Sequence, residues 1–212
     1  MLTIHRVRGL SFTHGEAARP GHDALVVEGD RIEAIAPYEV MLAVYGDRAR
    51  VREWDGVLTP GRHEPDAPAL LEHTYHPDPR EAGELGTEPL TGDALTALPM
   101  TDTRWGAGAR RGLQRLLAGG TTSLAGPFTR PAVRAAVARS GLAVTPVRTP
   151  GPRTLVLESR ADFAVFAPPT PGAAPDTAPG TAQDTAPGAS PGAAPGRCLA
   201  TVIAGRLVHR AR

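Results

Sequence analysis

The chain has 212 residues, of which 41% are hydrophobic and only 4% aromatic, and its 23 basic and 22 acidic residues leave a net charge of +1. This length fits one domain, or one domain with a small appendage, whose core must rest on Ala, Val and Leu. Every basic residue except histidine is Arg, and Asp and Glu are interleaved with the Arg residues. A nucleic-acid interface would gather positive charge on one face, so we expect no nucleic-acid partner.

Cysteine content and hydrophobic patterning predict the compartment. The one cysteine, Cys198, cannot form an internal disulfide, which is typical of a reducing compartment. No apolar run is long enough for a signal peptide or a membrane span. We therefore predict a cytoplasmic protein with no membrane contact.

The N-terminal part predicts short strands and one helix. The predicted elements are strands at 24–28 and 31–36, a helix at 38–45, and strands at 50–54 and 57–61. Gly29 and Asp30 suit the tight turn of a hairpin between the first two strands. Pro37 can begin the helix and Gly46 can close it. The stretch before residue 24, including His5, is interpreted as irregular.

In the middle of the chain, alternating helix and strand patterns predict β/α units. Prolines break residues 62–100 into short pieces, so one helix is predicted there, at 67–73, and the rest is interpreted as ordered loop. The elements that follow are predicted as a helix at 102–118, a strand at 121–125, a helix at 131–139 and a strand at 142–147. Thr129 is expected to cap the second of these helices, and Arg111 to lie on the solvated side of the first. This order with short connections indicates parallel strands.

The C-terminal part predicts strands that are interrupted by a low-complexity tract. Strands are predicted at 153–158, at 161–167 and within 199–210. Between the last two lies an Ala/Pro/Gly/Thr tract, residues 168–196, in which Asp-Thr-Ala-Pro-Gly occurs twice. Such a composition has little to bury and cannot offset the entropy of ordering, so we predict a disordered loop.

Five segments resemble, in this order, parts of the amidohydrolase superfamily. They are an opening hairpin (24–37), a strand that leads into a barrel (54–61), an early barrel helix with the Gly-Thr-Thr start of the next strand (109–122), and two closing sandwich strands (161–167 and 201–208). Within the superfamily they are most similar to imidazolonepropionases and aminodeoxyfutalosine deaminases. The resemblance implies a small β-sandwich built from both chain ends, a metal-bearing (β/α)8 barrel between them, and hydrolysis of a carbon–nitrogen bond in a small cyclic substrate.

The sequence departs from this family where the metal would bind. The family normally places a His-x-His pair after Thr-Pro-Gly, but here Gly61 is followed by Arg62 and His63, and the partner position is Pro65. A bridging carbamylated lysine is excluded because the chain has no Lys. A closed barrel needs about 250 residues, whereas the interval 62–152 has room for two or three β/α units.

These observations predict an α+β fold with two parts. Residues 1–60 and 153–212 are expected to form a composite β-sandwich, and residues 61–152 a truncated β/α barrel-like insert. The open strand edges of such an insert would need covering, which makes a homo-oligomer a reasonable expectation.

The remaining candidates for a metal site are His63, His73 and His76. Residues 73 and 76 would share a helix face, with His63 or Glu72 completing a three-ligand site, whereas Glu81 belongs to an acidic stretch interpreted as solvated surface. Our preferred interpretation is that the metal chemistry is lost, so that no metal or cofactor is expected and the catalytic residues are unknown. The alternatives are a hydrolase with a single divalent metal such as zinc, and a non-catalytic protein that binds a small molecule or a partner.

Overall fold

The computed structural model describes residues 1–168 and 196–212. The tract predicted as a disordered loop at 168–196 therefore lies, except for its two end residues, outside the described residues. The described residues form helices and several sheets without a closed barrel, which confirms the mixed α+β class. No helix in these residues has both the length and the apolar character that a membrane crossing requires.

Short elements dominate the chain. The strands are β1 (Leu2–Arg6), β2 (Gly9–Leu10), β3 (Ala24–Glu28), β4 (Arg31–Ala36), β5 (Arg50–Glu53), β6 (Val57–Pro60), β7 (Arg62–Glu64), β8 (Thr121–Ala125), β9 (Ala143–Thr145), β10 (Phe163–Phe166), β11 (Cys198–Ile203) and β12 (Arg206–Arg210). The helices are α1 (Tyr38–Tyr45), α2 (Ala67–Glu72), α3 (Ala82–Leu85), α4 (Gly92–Thr96), α5 (Asp102–Ala118) and α6 (Pro131–Ser140), with a 3₁₀ turn at Pro79–Glu81.

The described residues divide into two compact units. The first comprises Met1–Arg62, Ala118–Thr122 and the described residues of Gly151–Arg212. The second comprises His63–Leu117 and Ser123–Pro150.

Two sheets form the first unit. One has the strand order β4-β3-β1-β5, and the other has the order β12-β11-β10-β6-β2. Leu25 and Val27 from the first sheet pack in one cluster with Leu58, Phe163 and Val165 from the second. Apolar side chains on the inner faces of both sheets therefore make one common hydrophobic core.

The second of these sheets joins distant parts of the chain. Strand β10 lies between β6 and β11 and is antiparallel to both, so that Phe163 stands opposite Pro60 on one side and Val202 on the other. The hairpin between β11 and β12 turns at Ala204 and Gly205, whose φ angles are 48° and 72°. Positive φ at both central residues is the geometry that a two-residue hairpin turn requires.

Two predictions for this unit are wrong. The N-terminal stretch is not irregular, because β1 pairs with β3 on one side and β5 on the other, and His5 lies within it. The strand predicted at 153–158 does not form, and Thr154 makes only an isolated bridge. Leu155 is buried there, but the two residues that follow it are exposed, so the segment lacks the alternation of a paired strand.

Strands β7, β8 and β9 form a three-stranded sheet in that order. Strand β8 is buried along its whole length and runs parallel to β9, with Ser123 opposite Ala143. Helix α6 connects these two strands, which confirms the predicted parallel β/α arrangement at this point.

Three local predictions for this region need correction. Residues 62–100 are not all loop beyond α2, since they also contain β7, α3, α4 and the 3₁₀ turn. Thr129 does not cap α6: Arg130 occupies the N-cap position without a side-chain cap bond, and the Thr129 hydroxyl donates to Glu72 instead. Arg111 is not simply solvated, since its Nε donates to the carbonyl oxygen of His76 at 2.7 Å.

Candidate functional site

His63 lies on β7, where the resemblance places the first metal-binding side chain. Its Nδ1 is 2.9 Å from the hydroxyl oxygen of Ser123 on the neighbouring strand β8. Its Nε2 is 3.0 Å from the carbonyl oxygen of Arg148. Both ring nitrogens are therefore engaged with protein groups.

These two contacts determine the proton positions on the His63 ring. A carbonyl oxygen can only accept, so Nε2 carries the proton and donates it to Arg148, and in the neutral ring Nδ1 then accepts from the Ser123 hydroxyl. A serine that donates to an imidazole is polarised toward nucleophilic attack. Ser123, however, is only 1% exposed, so a substrate carbon cannot reach its oxygen in this arrangement.

The carboxylates that follow His63 are also engaged within the chain. The Glu64 side chain accepts from the backbone N–H of Asp66 at 3.0 Å, and burial raises the pKa of Glu64. The Asp66 carboxylate forms an ion pair with Arg148. A loop closed in this way fixes the end of β7 without leaving a carboxylate free beside the imidazole.

His73 and His76 do not form the predicted pair on a helix face. Helix α2 ends at Glu72, and the chain leaves the helix at His73, which is exposed. His76 is buried, and its Nε2 donates to the Leu70 carbonyl oxygen at 3.0 Å. Burial, together with the charges of two arginines, lowers the pKa of His76, so its ring is neutral.

These side chains do not fit a metal centre of the expected type. A catalytic zinc site needs three protein ligands that converge on one point. In residues 1–168 and 196–212, no group of three His, Cys, Asp or Glu side chains is placed to hold a metal ion. His63 could offer a ring nitrogen only by breaking a hydrogen bond, and the nearby carboxylates already have partners.

Glu72 has a structural role that the sequence analysis missed. Its side chain is only 3% exposed, and one carboxylate oxygen accepts from the backbone N–H groups of Thr129 and Arg130 at 2.7 Å and 2.6 Å. The other oxygen accepts from the Thr129 hydroxyl at 3.1 Å. A buried carboxylate is tolerated where charge-assisted hydrogen bonds replace its water, as they do here. Its position at the end of α2 gave no sequence signal for this distant partner.

Glu81 is likewise part of a network rather than a freely solvated acid. The Tyr75 hydroxyl donates to it at 2.6 Å, and the Arg104 guanidinium donates at 2.7 Å. The hydrogen bond from the Tyr75 hydroxyl, together with those from the backbone N–H of Asp78 and the Arg104 guanidinium, lowers the pKa of Glu81 to about 2. The anion is thus held in place as an acceptor, which is the opposite of the raised pKa that a general acid would need.

An open cavity of about 530 Å³ lies within the second unit. Apolar parts of its wall come from α4, the segment after it and the first turns of α5, and the polar parts come from the end of α2 and from Arg130. The guanidinium of Arg130 lies 4.2 Å from the centroid of the Trp105 ring, in the position of a cation–π contact. Of these residues, the sequence analysis selected Glu72 and His73, but as metal ligands; it did not predict the cavity, because the lining residues come from separate stretches of the chain.

Comparisons with known proteins found structural neighbours but no relatives by sequence. No protein-family model and no curated protein matches the chain. The chain is similar to ochratoxinase of A. niger (TM-score 0.44, 20% identity, 68% of this chain and 30% of that chain) and to guanine deaminase of E. coli (TM-score 0.41, 16% identity, 68% and 35%). It is also similar to an amidohydrolase from an environmental sample of the Sargasso Sea (TM-score 0.40, 20% identity, 68% and 33%). The chain thus spans about a third of the length of these solved structures.

Proposed function

We propose that this chain is an amidohydrolase-like protein in which the inherited, metal-dependent hydrolysis of carbon–nitrogen bonds has been lost. The order of the five resembling segments supports the ancestry. The five-stranded sheet supports it further, because β6, which leads into the insert, pairs with β10, which follows it. Strands from both ends of the chain meet in this way in the composite domain that the resemblance implies.

The observation that carries the loss of metal chemistry is the pair of bonds on His63. An imidazole can ligate a metal only through a nitrogen whose lone pair is not already used, and in this chain both His63 ring nitrogens lie within hydrogen-bond distance of a protein oxygen, one of Ser123 and one of Arg148. The position two residues further, where a second imidazole would share the strand face, is Pro65. Without a metal site the scaffold can bind a molecule but not hydrolyse it, because activity depends on the site residues and not on the fold alone.

The second candidate is a retained hydrolase for a small cyclic substrate with a single divalent metal such as zinc. It is favoured by one observation, namely that His63 and the carboxylates of Glu64 and Asp66 occur together at the end of β7. Loss of the Ser123 contact would free one imidazole nitrogen next to them. The two candidates therefore differ in whether the purified chain holds a metal.

Elemental analysis of the full chain, purified without chelator, separates the candidates. We expect well under one zinc, iron or manganese per chain, and the same low content in His63→Ala and in the double variant His73→Ala/His76→Ala. His209→Ala, which removes an imidazole on β12 in the first unit, is the matched control. Stoichiometric metal that disappears in His63→Ala or in the double variant, and is kept in His209→Ala, would overturn the proposed loss and establish the hydrolase.

A further inference from the structure

The cavity in the second unit has a lining that fits one class of small molecule. Its apolar wall includes Leu95, Leu98, Met100 and the Trp105 ring, and the Arg130 guanidinium is the cation in its wall. Its volume of about 530 Å³ falls in the range of small-molecule sites. Polar and apolar groups share its open wall, so a matching ligand needs both a polar group and an apolar body.

The guanidinium of Arg130 forms no ion pair with a carboxylate of the described residues. In the part of the chain that the structure describes, the ion pairs of acidic side chains go to other arginines. Glu72 contacts Arg130 through backbone groups: its carboxylate accepts the Arg130 backbone N–H, and its carbonyl oxygen accepts from Nε at 3.4 Å. The terminal nitrogens of the guanidinium are therefore available to an anion, while its carbon lies over the Trp105 ring.

The same wall also limits the charge of the ligand. The buried carboxylate of Glu72 lines the cavity together with Arg130, so a dianion such as phosphate would be repelled by a negative charge near its binding group. A monocarboxylate needs only the two parallel donors of a guanidinium, which match its two oxygens. The apolar wall can then cover the body of the same molecule.

We propose that this cavity binds a small monocarboxylate with an aromatic or branched aliphatic body. The carboxylate pairs with Arg130, and the body lies against Leu95, Leu98 and the Trp105 ring. The site goes beyond the proposed loss of metal chemistry and does not depend on it, since His63 is not one of the residues that line the cavity.

A titration with phenylacetate tests the proposal. Binding is monitored through tryptophan fluorescence, excited at the red edge of the indole band. The expected dissociation constant is about 1 mM or lower, in keeping with the modest affinity that about ten non-hydrogen atoms supply. Phenylacetamide, which has the same shape without the charge, should bind at least about tenfold more weakly, because the charge-assisted bonds are lost. Equal binding of the two compounds, or the absence of saturable binding at millimolar concentrations, would overturn the proposal.

Variants of the full chain place the site. Arg130→Gln should weaken phenylacetate binding at least about tenfold, whereas Arg139→Gln, a charge-matched change in the last turn of α6, should leave it unchanged. Because Arg130 packs on Trp105, its variant must keep the thermal midpoint of the parent chain to be interpretable.

Leu98→Glu, at a half-buried position outside any helix, supplies the second variant and should weaken binding by repulsion. Unchanged affinity in Leu98→Glu would refute the site. Metal content is measured on the same samples, so failure here is distinct from failure of the proposed function.

Discussion

His5 predicts a specific pH dependence of stability. Its ring is 1% exposed, lies nearly coplanar with the Trp54 ring at an interplanar angle of 6°, and contacts the Phe163 ring edge-on at a centroid distance of 5.0 Å. The Trp54 indole N–H donates to Nδ1 at 3.2 Å, so Nε2 carries the proton of the neutral ring, and this buried N–H has no hydrogen-bond partner in the described residues. Burial, aided by the charge of Arg52, lowers the pKa of His5 from 6.5 to about 3.

The size of the change in the free energy of unfolding with pH follows from the different proton affinity of His5 in the folded and unfolded chains. Unfolded His5 takes up a proton near pH 6.5 and folded His5 only near pH 3, so a fall in pH through this window favours unfolding. Between pH 7 and pH 5 the unfolded chain gains about 2 kcal/mol from this group alone. The folded ring takes up almost no proton over the same range. The stability that neutral His5 provides is therefore fully present above pH 6.5 and is lost progressively below it.

Urea unfolding between pH 5 and pH 7.5 measures this effect as a difference between the parent chain and His5→Leu. We expect the free energy of unfolding of the parent to fall by about 2 kcal/mol more than that of the variant over this range. At pH 7 the two should differ little, since the variant leaves the Trp54 N–H without its acceptor but also removes the unpartnered N–H of the ring. His73→Leu, which removes an exposed imidazole, is the control. Parallel pH profiles for the parent and His5→Leu would refute the argument that His5 is held neutral by burial.

Two further changes test the packing of the second unit. Gly112→Ala should lower the free energy of unfolding by about 1–3 kcal/mol, because a Cβ there would lie 2.7 Å from Nε2 of His76, whereas Gly106→Ala in the same helix meets nothing closer than 3.6 Å and should be neutral or stabilising. Thermal unfolding compares them, and equal effects would contradict the contact. Glu72→Ala should cost about 3 kcal/mol by leaving the backbone N–H groups near Arg130 without acceptors, and Glu72→Gln, which keeps one oxygen, should cost less. The reverse order in urea unfolding would contradict this role.

Local patterns in the sequence predicted the elements that are determined locally. The hairpin of β3 and β4 was predicted with its exact bounds, because Gly29 lies between two apolar runs and adopts the positive φ that such a turn needs. Helix α1 was predicted for the same kind of reason, since Pro37 precedes it and Gly46 follows it. Strand β1 was missed because its pairing with β3 and β5 is not visible in its own short sequence.

The site was less predictable because its contacts join residues far apart in the chain. The sequence showed that Pro65 rather than a second imidazole shares a strand face with His63, but not that Ser123, 60 residues away, would bond its ring. The shared helix face expected for His73 and His76 failed because α2 ends at Glu72, before either histidine. Spacing alone could not reveal that, since the end of a short helix depends on which tertiary contacts hold it.

Several polar groups of the second unit are hydrogen-bonded within the chain. His63 contacts Ser123 and the Arg148 carbonyl, and the buried Glu72 carboxylate accepts from backbone amides. Such bonds offset the cost of burying a polar group. Arg130 differs, since its cation faces a cavity without a carboxylate partner in the described residues, and that difference makes it the place to look for a ligand.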